Sequence, residues 1–335
     1  MNYLFSFIIP VYNRPKEIEE LLASCLKVQN INSCEIVIVE DGSTQTCKHI
    51  IESFVDKLHI SYYQKTNTGP GDSRNYGMKL AQADYFIILD SDVLLTSDYV
   101  IKVEKQLTLN KIECFGGPDK AHKSFSPVQK AINYTMTSFF TTGGIRGKEK
   151  QKKNFQPRSF NMGLSRRAFL KSGGFSNIHP GEDPDLALRL QNLGFQTALF
   201  SDCFVYHKRR VSWSGFANQV YKFGLVRPIL NARHPQSHKI IFYFPSIFSL
   251  GLVLSIVLLL LFNFFWLFML YSLYFILVFV DALMKEKNVT IAVMSIYAVF
   301  LQFFSYGIAF LKSVFFINIM RKNPENVYPF LFFKY

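Results

Sequence analysis

Two kinds of apolar pattern divide the chain. Up to about residue 239, apolar residues come in short runs, each closed by a polar cluster. Beyond it they run almost without interruption. In the first part, Phe5-Ser6-Phe7-Ile8-Ile9-Pro10-Val11 reads as a buried strand closed by Tyr12-Asn13. Lys16 to Leu26 carries Ile18, Leu21, Leu22 and Cys25 at helical spacing. Glu35 to Val39 is the next strand, closed by Glu40-Asp41-Gly42-Ser43. The pattern then predicts a helix over Thr46 to Lys57, a strand over Leu58 to Gln64 and a helix over Ser73 to Gln82. Tyr85 to Leu89 is a further strand, closed by Asp90-Ser91-Asp92. Strands alternating with helices imply an α/β domain, Rossmann-like, with a mainly parallel sheet and right-handed crossovers. Ligands of such sheets bind beyond the carboxyl ends of the strands, where these polar clusters fall.

The second part is a membrane pattern. No charged residue occurs in the 41 positions from Ile240 to Val280. A bilayer-crossing helix needs roughly 20 apolar residues, so this run holds two, with Asn263 as the turn between them. A second uncharged run, Asn288 to Leu311, is long enough for a third. A buried helical hairpin is the alternative, but soluble helices of this length normally carry a charged face. The expected map is an α/β domain over 1–235, with 205–238 as a basic interfacial segment. A membrane domain follows over 240–317, with spans at about 241–261, 264–284 and 290–311, and then a tail over 318–335.

Charge sharpens this picture. Lys and Arg total 37 against 24 Asp and Glu, a net charge of +13. Nine of the basic residues fall between Arg146 and Lys171, against one acid, Glu149, suggesting a mobile loop beside a ligand site. Cys203 to Lys239 holds seven, including Lys208-Arg209-Arg210, and no acid. Basic charge beside membrane spans marks the cytoplasmic side and attracts anionic lipid, so nucleic acid is not the expected partner. Trp213, Phe216, Val220 and Phe223 are spaced as the apolar stripe of an interfacial helix. Five cysteines without regular spacing argue against a disulfide framework or a zinc cluster. The first residues lack a basic stretch and a long apolar run, so no cleaved signal peptide is expected.

The polar clusters carry candidate chemistry. Asp90 and Asp92 stand two apart, so in an extended segment their carboxylates point the same way. Such a pair suits a hard divalent cation, Mn²⁺ or Mg²⁺, shared with substrate phosphates, and equally suits a helix cap. Glu40 and Asp41 suit hydrogen bonds to a base or ribose, or a plain turn. Gly69 to Asn75 is a small-residue loop entering a helix, where Arg74 can meet a diphosphate. Gly181-Glu182-Asp183-Pro184-Asp185 gathers three carboxylates at a helix start, suited to a general base or to the helix dipole. His207 closes a strand-like run and reads as structural or as a ligand.

Taken in order, these stretches resemble the GT-A glycosyltransferases of the inverting family 2. The match runs through Ile8 to Asn13, Val39 to Ser43, Gly71 to Asn75, Leu89 to Asp92, Asn161 to Leu164 and Gly181 to Leu186, over residues 3 to 230. The resemblance implies a nucleotide-sugar donor, bound with Mn or Mg. It assigns Pro10, Tyr12 and Asn13 to the nucleotide pocket, Glu40 and Asp41 to the base, and Arg74 to the base or diphosphate. Asp90 faces the ribose and metal, Asp92 binds the metal most directly, and His207 approaches it. Asp183, second in the pair with Glu182, is the implied base. Gln219 to Phe223 only partly matches the Q-x-x-R-W motif of processive members, so processivity is not expected. The expected function is transfer of a single sugar to a membrane-bound acceptor, such as a lipid-linked saccharide in envelope polysaccharide assembly. The catalytic domain then faces the cytoplasm, most simply at a bacterial inner membrane. The alternatives are a polyprenyl-phosphate glycosyl synthase and a non-catalytic membrane-anchored scaffold.

Overall fold

The computed structural model describes residues 3–120, 125–143, 155–207 and 212–334. The lysines of the expected mobile loop, Lys148 to Lys153, and the triplet Lys208-Arg209-Arg210 lie outside the described residues. The chain divides into two units. The first comprises Met1–His122, Glu149–His207 and Phe332–Tyr335; the second comprises Lys123–Lys148 and Lys208–Leu331.

The first unit is built on strands β1 (Phe5–Val11), β2 (Cys34–Asp41), β3 (Ile60–Lys65), β4 (Tyr85–Leu89), β5 (Val93–Leu94), β6 (Cys114–Gly116), β7 (Asp119–Lys120), β8 (Asn161–Ser165), β9 (Thr197–Leu199) and β10 (Val205–His207). Its first helices are α1 (Pro15–Cys25), α2 (Lys48–Glu52), α3 (Pro70–Leu80) and α4 (Tyr99–Asn110). The main sheet has the order β3-β2-β1-β4-β8-β6-β9. The first four strands are parallel, as the alternation with helices requires, and β8 runs antiparallel to both β4 and β6. Period-two alternation sorts the two faces. Phe7, Ile9, Ile36 and Ile38 enter one core with α1 residues Leu21 and Leu22 and α4 residues Val100 and Val103. Ile8, Val37, Val39 and Ile88 enter the other, with Met78 of α3. Each such side chain contributes about 1.5–3 kcal/mol through burial. Helix α2 is shorter than the expected Thr46 to Lys57, and α3 starts at Pro70 rather than Ser73. Proline at the first helical position loses no internal bond, so it starts the helix early.

Strand β1 pairs with β4 only through Ser6, Phe7 and Ile8, whereas its pairing with β2 continues to Val11. The parting of β1 from β4 opens a crevice where the strand order reverses, and Pro10, with no N–H to give, sits beyond the shared ladder. A second, small sheet of order β5-β10-β7 sets His207 opposite Val93, next in sequence to Asp92.

The second unit is helical. It holds α5 (Pro127–Thr137) and α6 (Phe139–Thr142). Two helices of the first unit, α7 (Arg166–Ser172) and α8 (Glu182–Asn192), come next in the chain. The second unit then resumes with α9 (Trp213–Arg233), α10 (Phe244–Phe262), α11 (Trp266–Glu286) and α12 (Val289–Ser313). The last three are long and apolar enough to cross a membrane. Asn263 takes the left-handed conformation between α10 and α11, the turn expected there. The α9 stripe corrects one expectation. Phe216 and Val220 are buried against Ile132, Met136 and Ala298, with Trp213 and Phe223 packed alongside. This stripe therefore faces protein rather than lipid. Asp281, a carboxylate within apolar α11, accepts hydrogen bonds from Tyr134 and Ser138 and pairs with Lys285.

Candidate active site

The polar clusters at the strand ends meet in the first unit. Asp90, Asp92 and His207 place one ligand atom each within 4.8 Å of one another. His207 Nε2 lies 3.1 Å from Asp92 Oδ1, and its ring stacks on Phe160. Arg14, which sequence reasoning passed over, forms an ion pair with the other oxygen of Asp92. Burial works against charge on Asp92, but His207 and Arg14 hold its carboxyl well below the usual carboxylate range. Two carboxylates and an imidazole form a donor set that Mn²⁺ or Mg²⁺ accepts, so these residues fit a divalent cation.

Arg74 links this cluster to the acidic helix start. It is 3 % exposed, with its guanidinium 2.8 Å from Asp90 and 3.1 Å from Glu182. Glu182 also accepts from His179 at 2.8 Å, a second residue the sequence did not single out. Breaking a buried pair of this kind typically costs about 3–5 kcal/mol, because the remaining charge is left uncompensated.

The three carboxylates at the start of α8 have separate fates. Asp185 pairs with Arg189 at 2.9 Å, and Arg189 donates onward to the carbonyls of Ser172 and Gly174. Asp185 thus holds a turn. Glu182 is occupied by Arg74 and His179; burial opposes its charge, but His179 and Arg74 keep its carboxyl low. Asp183 is different. Its Oδ1 is buried without a hydrogen-bond partner among the described residues. Burial, and then the neighbouring Glu182, push its carboxyl up to about 6, with Arg74 and Arg158 only partly offsetting them. A carboxyl group in that range can take a proton at neutral pH.

The residues expected around a nucleotide divide into two sets. Tyr12 is 52 % exposed at the end of β1, and Pro10 is half-buried beside the crevice. Asn13 is used within the fold: its Oδ1 accepts from the backbone of Thr44 and Gln45, and its own N–H donates to Ser43. Glu40 is likewise consumed, accepting from Ser43, Cys47 and Tyr62. These two secure the turn after β2 rather than offering free groups. Asp41 accepts from Lys65 at 2.7 Å and from the backbone N–H groups of Thr68 and Gly69. It fixes the loop that leads into α3, with Lys65 as a further charge beside it.

A mixed sheet whose order reverses between β1 and β4, with Asp90, Asp92 and His207 gathered where they could hold a cation and an acidic helix start, is the arrangement of a GT-A glycosyltransferase domain. Residues 6–173, half of the chain, match the glycosyl transferase family 2, and the chain belongs to that family. An uncharacterized glycosyltransferase of Haemophilus influenzae is 39 % identical over 106 residues, 31 % of this chain and 41 % of that one. The poly(ribitol-phosphate) β-N-acetylglucosaminyltransferase TarS of Staphylococcus aureus is 39 % identical over 101 residues, 29 % of this chain and 17 % of its own. The matched stretch thus spans less than half of these relatives. Among solved structures, the Pyrobaculum calidifontis mannosyltransferase PcManGT, in complex with GDP-Man and Mn²⁺, superposes with a TM-score of 0.58 at 14 % identity. That match covers 96 % of this chain and 89 % of PcManGT. S. aureus TarS 1-349 in complex with UDP-GlcNAc gives 0.52 at 16 % identity, covering 93 % and 91 %. These likenesses establish a shared fold.

Proposed function

We propose that this glycosyltransferase moves a single sugar from a nucleotide-sugar to a membrane-bound acceptor hydroxyl, with inversion at the anomeric carbon. The carrying observation is the division of charge along Asp90–Arg74–Glu182–Asp183. One end is a cation-ligand cluster; the other is a single carboxyl with a raised proton affinity and an unpaired oxygen.

The nucleotide would lie in the crevice, over Pro10 and exposed Tyr12, with Asp41 fixing the loop beside it. Asp90, Asp92 and His207 would hold Mn²⁺ or Mg²⁺, which supplies positive charge to the leaving diphosphate. Arg74 adds a fixed cation to the same region, and its position needs no rearrangement during the reaction. On the opposite face, Asp183 takes the proton from the acceptor hydroxyl as its oxygen bonds to the anomeric carbon. The bond from that carbon to the diphosphate breaks, and its electron pair leaves with the diphosphate. Attack opposite the leaving group gives inversion. Glu182 cannot fill the role of Asp183 while it is held by Arg74 and His179. A polyprenyl-phosphate acceptor needs no base, so the raised Asp183 favours a hydroxyl acceptor. Solved neighbours in complex with GDP-Man and UDP-GlcNAc support a nucleotide-sugar donor, and three apolar helices support a membrane-bound acceptor. On this reading the acceptor is a lipid-linked saccharide and the catalytic unit lies on the cytoplasmic face of a bacterial inner membrane.

Incorporation of radiolabelled sugar from a panel of nucleotide-sugars into membrane lipid tests this reading. Transfer should require Mn²⁺ or Mg²⁺, stop in EDTA, and fall at least 100-fold in Asp92→Asn. Full transfer in EDTA, or in that variant, contradicts the cation assignment.

A further inference from the structure

The chain leaves the catalytic unit at His207, passes through α9 to α12, and then returns to it. Phe332 forms an antiparallel bridge with Ile178, which is fully buried. The Phe333 N–H donates to the carbonyl of Asn177 at 3.0 Å. The Phe333 ring closes over Gly69, so closely that a Cβ at Gly69 would come within 2.4 Å of it. The same ring lies 6.1 Å from that of His179, the partner of Glu182. These contacts join the tail to the two loops that carry Asp41's partner and the acidic helix start.

A chain that starts and ends in one folded unit crosses a bilayer an even number of times. We propose that α10 and α11 cross and return, and that α12 stays on the catalytic side, lying along the membrane interface. This rests on the membrane-anchored reading above.

Helix α12 itself carries independent support. Its exposed apolar residues Val289, Val293, Tyr297, Phe300, Ile308 and Leu311 keep to one helical face. The stripe continues past the helix end through Phe315 and Ile319. A single apolar stripe is the mark of a helix lying in the interface. Helix α10 exposes a wider arc, with Val253, Leu254, Ile256, Val257, Leu260 and Leu261, and buries Phe248, Leu252 and Ser255 on its remaining side. The opposite face of α12 is covered by protein along its length. Phe216 and Val220 pack with Ala298, Gly224 closes on Tyr306 and Ala309, and Ser313 donates to the Leu225 carbonyl. These contacts run parallel along α9, which carries Lys222, Arg227 and Arg233 and so has no place in a hydrocarbon core. At its other end, α12 meets α5 through Thr135 and Ser295. Helix α5 is 11 residues long and belongs to a segment joined at both ends to the catalytic unit, so it stays on that side. The occupant of the stripe is then the lipid leaflet facing the catalytic unit.

Single cysteines at Asn110, Asn263 and Asn326, probed with a membrane-impermeant maleimide in sealed cells, test this. The five native cysteines are buried and give little background. Positions 110 and 326 should behave alike, protected until the cells are permeabilised, while 263 labels from outside. Labelling at 326 with protection at 110 would mean an odd number of crossings and overturn the proposal. Protection at 263 alongside 110, until permeabilisation, would instead overturn the crossing hairpin, leaving the sugar-transfer reading untouched.

Discussion

Glu182 and Asp183 are adjacent carboxylates with opposite electrostatic settings, and this difference assigns their roles. Arg74 and His179 hold Glu182 ionised, while burial and the charge of Glu182 raise Asp183 to about 6. A general base acts when deprotonated, so kcat should rise with pH through about 6 and level off above it. Glu182→Gln removes the negative neighbour, leaving Arg74 freer to act on Asp183. The rising limb should then move to lower pH, measured as a pH profile of initial rates. A variant with turnover abolished at every pH would instead make Glu182 the base. The sequence placed both residues in one acidic cluster, and only the family resemblance singled out Asp183 as the base; the residues themselves did not divide the roles. The dividing partner, Arg74, lies 108 residues away from Glu182 in the chain. Asp185 looked equivalent to them until Arg189, one turn later, was seen to occupy it. Asn13 and Glu40 show the reverse case. Their motif was legible, but their side chains are used up inside the fold.

At the scale of elements, the site depends on β8 and the short sheet beside it. Gly163 of β8 faces the Phe115 ring of β6 so closely that a Cβ there would lie 2.0 Å from it. Asn161, at the start of β8, accepts from Tyr99 and donates to the Cys203 carbonyl, securing the segment that leads to His207. Gly163→Ala should therefore overpack this region, lowering stability by about 1–3 kcal/mol. Denaturant unfolding of the purified protein measures that loss, and an unchanged midpoint would show that the sheet can relax. The early strands were legible because each apolar run ends in a polar cluster, and β1, β2 and β4 sit as expected. The strands β5, β7 and β10 span only two or three residues and carry no periodic signal. Their pairing is decided by partners about a hundred residues away, so the approach of His207 to Asp92 was legible only through the family resemblance.

At the scale of the whole molecule, composition spoke most clearly. The charge-free runs located α10, α11 and α12 to within a few residues, because a long uninterrupted apolar run has few structural options besides an apolar helix. The destination of the tail was not legible, since a bridge between Phe332 and Ile178 leaves no local pattern. Retention in the membrane pellet after alkaline carbonate checks the anchoring: the full chain should stay with the lipid, and release into the supernatant would contradict it.

The proposed chemistry turns on Asp183 as the group that takes the acceptor proton. The most direct measurement sets sugar transfer against donor binding in Asp183→Asn, using the donor and acceptor identified by the membrane-lipid screen. General-base removal predicts a kcat lower by roughly 10²-fold or more, with donor affinity within a few-fold of the parent enzyme. Turnover preserved in that variant, or turnover lost only in proportion to lost donor binding, would contradict the assignment.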